Sequence, residues 1–162
     1  MELAARARNI KLLLMDCDGV LTDGRLYFSA GGEELKVFHV RDGQGIVMWH
    51  QAGFRSGIIS GRNSPIVEMR ARQLGVEFIV QGRNEKVGAF NEIAAAAGLE
   101  LNEIAYIGDD IPDAAVMNLA GFAVAVADAA NEARTAAHYV TTLKGGHGAV
   151  RELIDLLLNS KI

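Results

Sequence analysis

Cysteine is almost missing from this chain: Cys17 is the only one among 162 residues, and there are only two prolines. A lone thiol excludes an intramolecular disulfide framework and fits a reducing compartment, with Cys17 best placed as a small core residue. With few prolines and no linker of biased composition, the chain reads as one compact domain, residues 1–162, long enough to bury most of its unfolded surface without staples. Positive charge is not in excess either. A formal charge of −4 and a pI near 5.5 leave no electrostatic footprint for nucleic acid or an acidic membrane surface. No uninterrupted apolar run is long enough to span a bilayer, and the N-terminal segment, with its scattered charges, does not read as a secretory signal. A soluble cytoplasmic protein is the expectation.

What is present is an alternation. Short apolar runs at Lys11–Met15, Arg55–Ile59, Glu77–Val80, Ile104–Ile107 and Phe122–Val126, with a weaker one at His138–Val140, read as strands. Helices are predicted between and after them at Gln44–Gln51, Pro65–Leu74, Glu85–Ala97, Pro112–Leu119, Glu132–Ala136 and Ala149–Leu158. Strands apolar throughout, separated by helices, predict an α/β fold with a mostly parallel sheet covered on both faces. One segment breaks the rhythm: Leu26–Ser29 and Glu34–Val40 flank a glycine turn and predict a β-hairpin. Tyr27, Phe28, Val37 and Phe38 make it too apolar for a decorative surface loop, so it reads as a lid or an oligomer contact.

The first strand ends in Asp16-Cys17-Asp18-Gly19. Two carboxylates one residue apart repel unless a cation or a shared proton relieves them, although a polar turn after a buried strand would have the same look. The other strand ends decide between these readings. Ser60-Gly61-Arg62 follows the second strand, Lys86 comes shortly after the third, and Gly108-Asp109-Asp110 follows the fourth. In an open parallel sheet the carboxyl ends of the strands form the binding crevice, so these motifs converge. Asp16, the Asp18 main-chain carbonyl and Asp109 would supply oxygen ligands to a hard cation such as Mg2+. Ser60, the Gly61 N–H and Lys86 would cradle a phosphate, and the helix opening at Ser64-Pro65, with a favoured cap residue and a first-turn proline, points its positive end the same way. Asp110 and Asp113 suit helix capping as well as support of the site.

These motifs, in this order, resemble the four motifs of the haloacid dehalogenase (HAD) superfamily of phosphatases. The closer resemblance is to its capless branch acting on 3-deoxy-D-manno-octulosonate 8-phosphate. It is carried by Val20-Leu-Thr-Asp-Gly24, the hairpin, Val40-Arg-Asp-Gly43 with Gly45-Ile46, Ser60-Gly-Arg62, Gln81-Gly82 and Gly145-Gly-His-Gly-Ala-Val-Arg-Glu152. The resemblance implies a Rossmann-like doubly wound sheet with a hairpin flap at about 25–40, no cap domain and a C-terminal tail at about 143–162. It further implies a Mg2+-dependent phosphomonoesterase of lipopolysaccharide precursor synthesis, assembled as a homotetramer through the hairpin, with the tail approaching a neighbouring site.

The resemblance assigns roles by position: Asp16 would be the nucleophile and Asp18 the proton donor and acceptor, with Ser60 and Lys86 on the phosphoryl oxygens. Arg41, Asp42, Gly61 and Arg62 would contact the substrate, Asp110 and Asp113 would support from behind, and Arg62 suits a sugar-acid carboxylate. Relatives acting on nine-carbon sialic-type acid 9-phosphates tend to carry an acid at the Arg62 position. Gln44, Ile111-Pro112 and His147 depart from the common pattern of the branch. A phospho-acceptor receiver would place its hydroxyl and lysine after the second acid cluster, the reverse of the order here, and a non-catalytic scaffold would not be expected to keep all of Asp16, Asp18, Ser60, Lys86 and Asp109.

Overall fold

The structure, a computed structural model, describes residues 2–162; Met1 lies outside the described residues. In chain order the elements are α1 (Leu3–Asn9), β1 (Leu12–Met15), β2 (Tyr27–Ser29), β3 (Gly32–Leu35), α2 (Val40–Gln51), β4 (Arg55–Ile59), α3 (Pro65–Gln73) and β5 (Phe78–Val80). There follow α4 (Lys86–Ala97), a 3-10 turn at Leu101–Glu103, β6 (Ile104–Gly108), α5 (Ile111–Met117), β7 (Phe122–Ala125), α6 (Asn131–Ala136), β8 (Tyr139–Val140) and α7 (Ala149–Asn159).

Six strands form one parallel sheet in the order β5-β4-β1-β6-β7-β8, while β2 and β3 pair as a separate antiparallel hairpin. Strand order reverses between β1 and β6. That is the switch point at which doubly wound sheets bind ligands, because the following loops diverge there.

Side chains alternate through the sheet. Leu13, Met15, Ala105, Ile107, Phe122 and Val124 join one core with Ile46 and Trp49 of α2, Val67 of α3 and Leu153 and Ile154 of α7. Leu12, Leu14, Ile104, Tyr106, Ala123 and Ala125 join the other with Phe90 and Ile93 of α4 and Val116 of α5. Strands buried on both sides need apolar residues at every position, which is why they read as continuous runs.

Three local expectations are corrected. The second hairpin limb is strand only to Leu35, and Phe38 packs on the core instead of joining the sheet. Helix α2 begins at Val40, four residues before the predicted start, because the His39 side chain accepts the Arg41 N–H and caps it. The Ser64 side chain makes no capping hydrogen bond at α3; the Gln81 amide instead accepts the Ser64 N–H at 2.9 Å and donates to its carbonyl at 3.1 Å.

Candidate active site

Asp16, Asp18, Ser60, Gly61, Arg62, Lys86, Asp109, Asp110 and Asp113 line one crevice of about 270 Å3, together with Gly24, Leu26, Asn84 and Pro112. Strand β1 delivers Asp16, β4 delivers Ser60, β6 delivers Asp109, and Lys86 is the first residue of α4. Gly19, at a φ of +90°, completes the turn after β1; a Cβ there would overlap the Asp109 carboxylate, so both the backbone angle and the close approach require glycine.

Buried charges dominate the floor. Lys86 Nζ lies 2.9 Å from Asp16 Oδ1 and 2.7 Å from Asp113 Oδ1, with the Lys86 and Asp113 side chains only 4% and 1% exposed. Asp16 Oδ1 also accepts the Cys17 N–H at 2.7 Å. Asp113 is fully engaged: Oδ1 accepts from Lys86 and the Tyr106 hydroxyl, and Oδ2 from the Asp109 and Asp110 N–H groups. Burial works against its charge, but Lys86 and these donors hold its carboxyl below the ordinary carboxylate range. Burial likewise opposes the Lys86 ammonium, and Asp16 and Asp113 outweigh it, keeping the pKa above the ordinary value.

Asp16 and Asp109 face the opposite situation. Burial and then Asp113 push Asp16 up to about 6, against the pull of Lys86. Asp109 is pushed up to about 9 by burial and by Asp16 beside it. Oxygens of Asp16, Asp109 and Asp113 lie within 4.8 Å of one another. Since both Asp113 oxygens are already hydrogen-bonded, Asp16 and Asp109 are the carboxylates that need a cation. The Asp18 side chain is engaged elsewhere, by Lys36 and Arg62. This set of hard oxygen donors fits a hard divalent cation, whose charge replaces the shared proton.

Asp18 forms the other wall. Its Oδ1 lies 2.6 Å from Lys36 Nζ, in the segment after β3, and its Oδ2 lies 3.5 Å from Arg62 Nε. Arg62 spreads its guanidinium over the Phe28 ring of the hairpin, 5.6 Å from the centroid.

Two predicted contacts fall outside the crevice. Asp42 is 1% exposed, and its Oδ1 accepts the Arg151 N–H at 2.9 Å. It thereby caps α7, whose own N-cap is Gly148 with no side chain to do so. Arg41 borders a separate groove with His147 and Arg151. The glycine-rich tail packs beneath this chain's own first loop: Gly146 donates to the Val20 carbonyl at 3.0 Å, and a Cβ on Gly145 would overlap the Gly19 carbonyl. Lys36 and Tyr106 were missed from the sequence, and each carried a signal: a lysine amid apolar hairpin residues and a hydroxyl on an otherwise aliphatic strand.

The family model for haloacid dehalogenase-like hydrolases matches residues 48–153. The chain belongs to this family. Among curated members it is 46% identical over 157 residues to the 3-deoxy-D-manno-octulosonate 8-phosphate phosphatase KdsC of Yersinia pestis, covering 97% of this chain and 84% of the relative. It is 45% identical to the Escherichia coli protein of the same name, with the same coverage. Among solved structures of the haloacid dehalogenase-like fold, the Moraxella catarrhalis 3-deoxy-D-manno-octulosonate 8-phosphate phosphatase, in complex with magnesium ion, phosphate ion and KDO, superposes with a TM-score of 0.96. That similarity covers 98% of this chain and 91% of the other at 40% identity. A cobalt-bound Haemophilus influenzae phosphatase of the same description gives 0.94 at 41% identity, covering 96% and 91%. These relatives agree with the doubly wound sheet without a cap domain. Among the described residues no helix is long and apolar enough to cross a membrane.

Proposed function

We propose that this protein is a Mg2+-dependent phosphomonoesterase that hydrolyses 3-deoxy-D-manno-octulosonate 8-phosphate to the sugar acid and phosphate in lipopolysaccharide precursor synthesis. The observation that carries this reading is one crevice in which an acid pair in need of a cation faces Ser60 and Lys86 on one side and Asp18 with Arg62 on the other. The substrate for which these relatives are named supports it. The acting unit is residues 1–162 as one phosphatase domain.

Asp16 attacks phosphorus, forming an acyl-phosphate bond as the bond to the sugar oxygen breaks. Its carboxylate is ready for this because Lys86 and the Cys17 N–H fix its orientation. Asp18 gives a proton to the departing sugar oxygen and then takes one from the water that cleaves the aspartyl-phosphate, returning both carboxylates to their starting state. Ser60, the Gly61 N–H and Lys86 hold the phosphoryl oxygens. Mg2+, held by Asp16, Asp109 and the Asp18 main-chain carbonyl, supplies when bound a positive field that offsets charge on the transferring phosphoryl group. Such assistance is substantial, since uncatalysed monoester hydrolysis calls for accelerations of up to ~10^21. Asp110 and Asp113 brace the site from α5 through a reciprocal cap. Arg62, half-exposed at the rim, pairs with the sugar-acid carboxylate in a two-point fork.

We extend the proposal to a cytoplasmic homotetramer joined through the hairpin. Phe28, Leu35 and Val37 are 59%, 48% and 54% exposed, a cost that burial between subunits removes. Sedimentation of the purified protein as a monomer would sink that part alone. The activity itself is tested by phosphate release from the eight-carbon and nine-carbon sugar-acid phosphates, with and without chelator. Strong preference for the eight-carbon ester and loss with chelator are expected. Equal rates on both would leave only the broader phosphatase.

A further inference from the structure

The hairpin places its residues inside out. Along Leu35-Lys36-Val37, the two apolar side chains are about half exposed while the lysine between them is buried, its side chain 2% accessible. Taking an ammonium out of water is costly unless an anion compensates. An apolar residue would anchor a hairpin without that cost, so the lysine calls for a reason at its tip. Its Nζ meets, at 2.6 Å, Oδ1 of Asp18, a residue that lines the crevice.

The two cations on Asp18 are not equivalent. Lys36 is sealed and short-bonded, whereas Arg62 is 42% exposed, 3.5 Å away and stacked on Phe28 at the crevice rim. A ligand anion can compete for Arg62, but Lys36 stays behind the carboxylate. Oδ1 is therefore the held oxygen, and Oδ2 is the one turned toward whatever enters.

We infer that Lys36 is a positioning residue for the reaction: it fixes Asp18 through Oδ1 so that Oδ2 carries the proton to and from the leaving oxygen. The inference rests on the phosphatase reading above and goes beyond it, since it makes the hairpin part of the proton-transfer apparatus and not only a cover or contact. In the first step the Oδ2–H bond breaks as the proton passes to the sugar oxygen, which takes the electron pair of its broken bond to phosphorus. In the second, Oδ2 accepts a proton from the attacking water. Lys36 keeps its proton throughout.

The test is leaving-group dependence. Protonation matters most for a sugar or other alkyl leaving oxygen, less for phenolate and least for p-nitrophenolate, so a misdirected Asp18 harms the three esters unequally. General-acid assistance is worth about 10^2–10^4. On that scale, Lys36→Met is expected to lower kcat/KM about 100-fold for the sugar-acid phosphate, about 10-fold for phenyl phosphate and no more than about 2-fold for p-nitrophenyl phosphate. Lys36→Arg, which keeps the cation, should restore much of the wild-type ratio. Because each ratio is taken on one preparation, a loss of folded protein cancels from it. Removing Lys36 in an Asp18→Asn background should leave the ratios where Asp18→Asn alone puts them. Equal losses on all three esters, or none, would overturn the role of Lys36 while leaving the phosphatase reading in place. Absence of Mg2+-dependent release by the unaltered protein would instead remove the reading beneath it.

Discussion

The two walls of the crevice are built differently. On the side of Asp16, Lys86, Asp109 and Asp113, every group rises from a strand end or the first turn of a helix. The Lys86 and Asp113 side chains there are almost wholly sealed. On the side of Asp18, Lys36, Arg62 and Phe28, the groups come from the loops after β1 and β4, the two-stranded hairpin and the segment after it, and Arg62 and Phe28 are about half exposed. A sheet edge holds charges in a fixed relation at low effective dielectric, where each ion pair is strong and each unpaired charge expensive. The hairpin instead offers contacts that can be exchanged. The proposed division of labour follows: the sheet wall handles the phosphoryl group common to all substrates, and the hairpin wall handles the leaving group that distinguishes them.

The sharpest way to break this comparison is Asp16→Asn, which should remove turnover by about 10^4-fold or more while circular dichroism and the melting profile stay near those of the parent protein. Release of phosphate at the unaltered rate would remove the nucleophile from the sheet wall. Next, Lys86→Met leaves Asp113 and Asp16 without their counter-charge. It should cost about 10^2–10^3 in kcat, as loss of one oxyanion donor does. Breaking the buried pair should also cost about 3–5 kcal/mol of stability in denaturant unfolding.

A third expectation concerns protons. Burial raises Asp16 to about 6 and Asp109 to about 9, both above the unfolded value of 3.8. Between about pH 4 and about 9 the folded, metal-free protein therefore binds protons that the unfolded chain does not. Its stability falls as pH rises through that window, and thermal melts in chelator should show this. Mg2+ takes the protons' place, so its apparent Kd should weaken by up to about tenfold for each pH unit from about 9 down to about 6, where Asp109 alone is protonated, and more steeply below, where Asp16 is protonated too, as titration calorimetry with proton-release measurement would record. The smallest effect falls on the hairpin wall. Arg62→Ala should lower kcat/KM for the sugar-acid phosphate roughly tenfold, the worth of a charged hydrogen bond, and leave p-nitrophenyl phosphate nearly unchanged. Equal loss on both substrates would place Arg62 with the phosphoryl group instead.

Much of the sheet wall was legible in the residues. Each main-sheet strand announced itself as an apolar run, and each polar motif sat directly or shortly after one, so convergence followed from the parallel topology. The elements that went unread are those whose stability is borrowed. Helix α1 has seven residues, too few to persist alone, and depends on Arg6 donating to the Gly121 carbonyl and Lys161 donating to the Ala7 and Ile10 carbonyls. The resemblance assigns Asp42 to the substrate through the motif Val40-Arg-Asp-Gly43. Asp42 became a cap for α7 because that helix, 109 residues away at Arg151, starts on a glycine.

The sequence by itself determined the alternation of strands and helices and, through it, that Asp16, Ser60, Lys86 and Asp109 meet at one sheet edge. Local patterning suffices there, since period and position at a strand end dictate where a side chain can go. Only the tertiary structure decided which charges neutralise which: that Lys86 divides itself between Asp16 and Asp113, that Asp109 is left in need of a cation, and that Lys36 turns inward to Asp18. Those choices depend on distances between segments far apart in the chain and on how completely water is excluded between them. Neither quantity is written in any one stretch of residues.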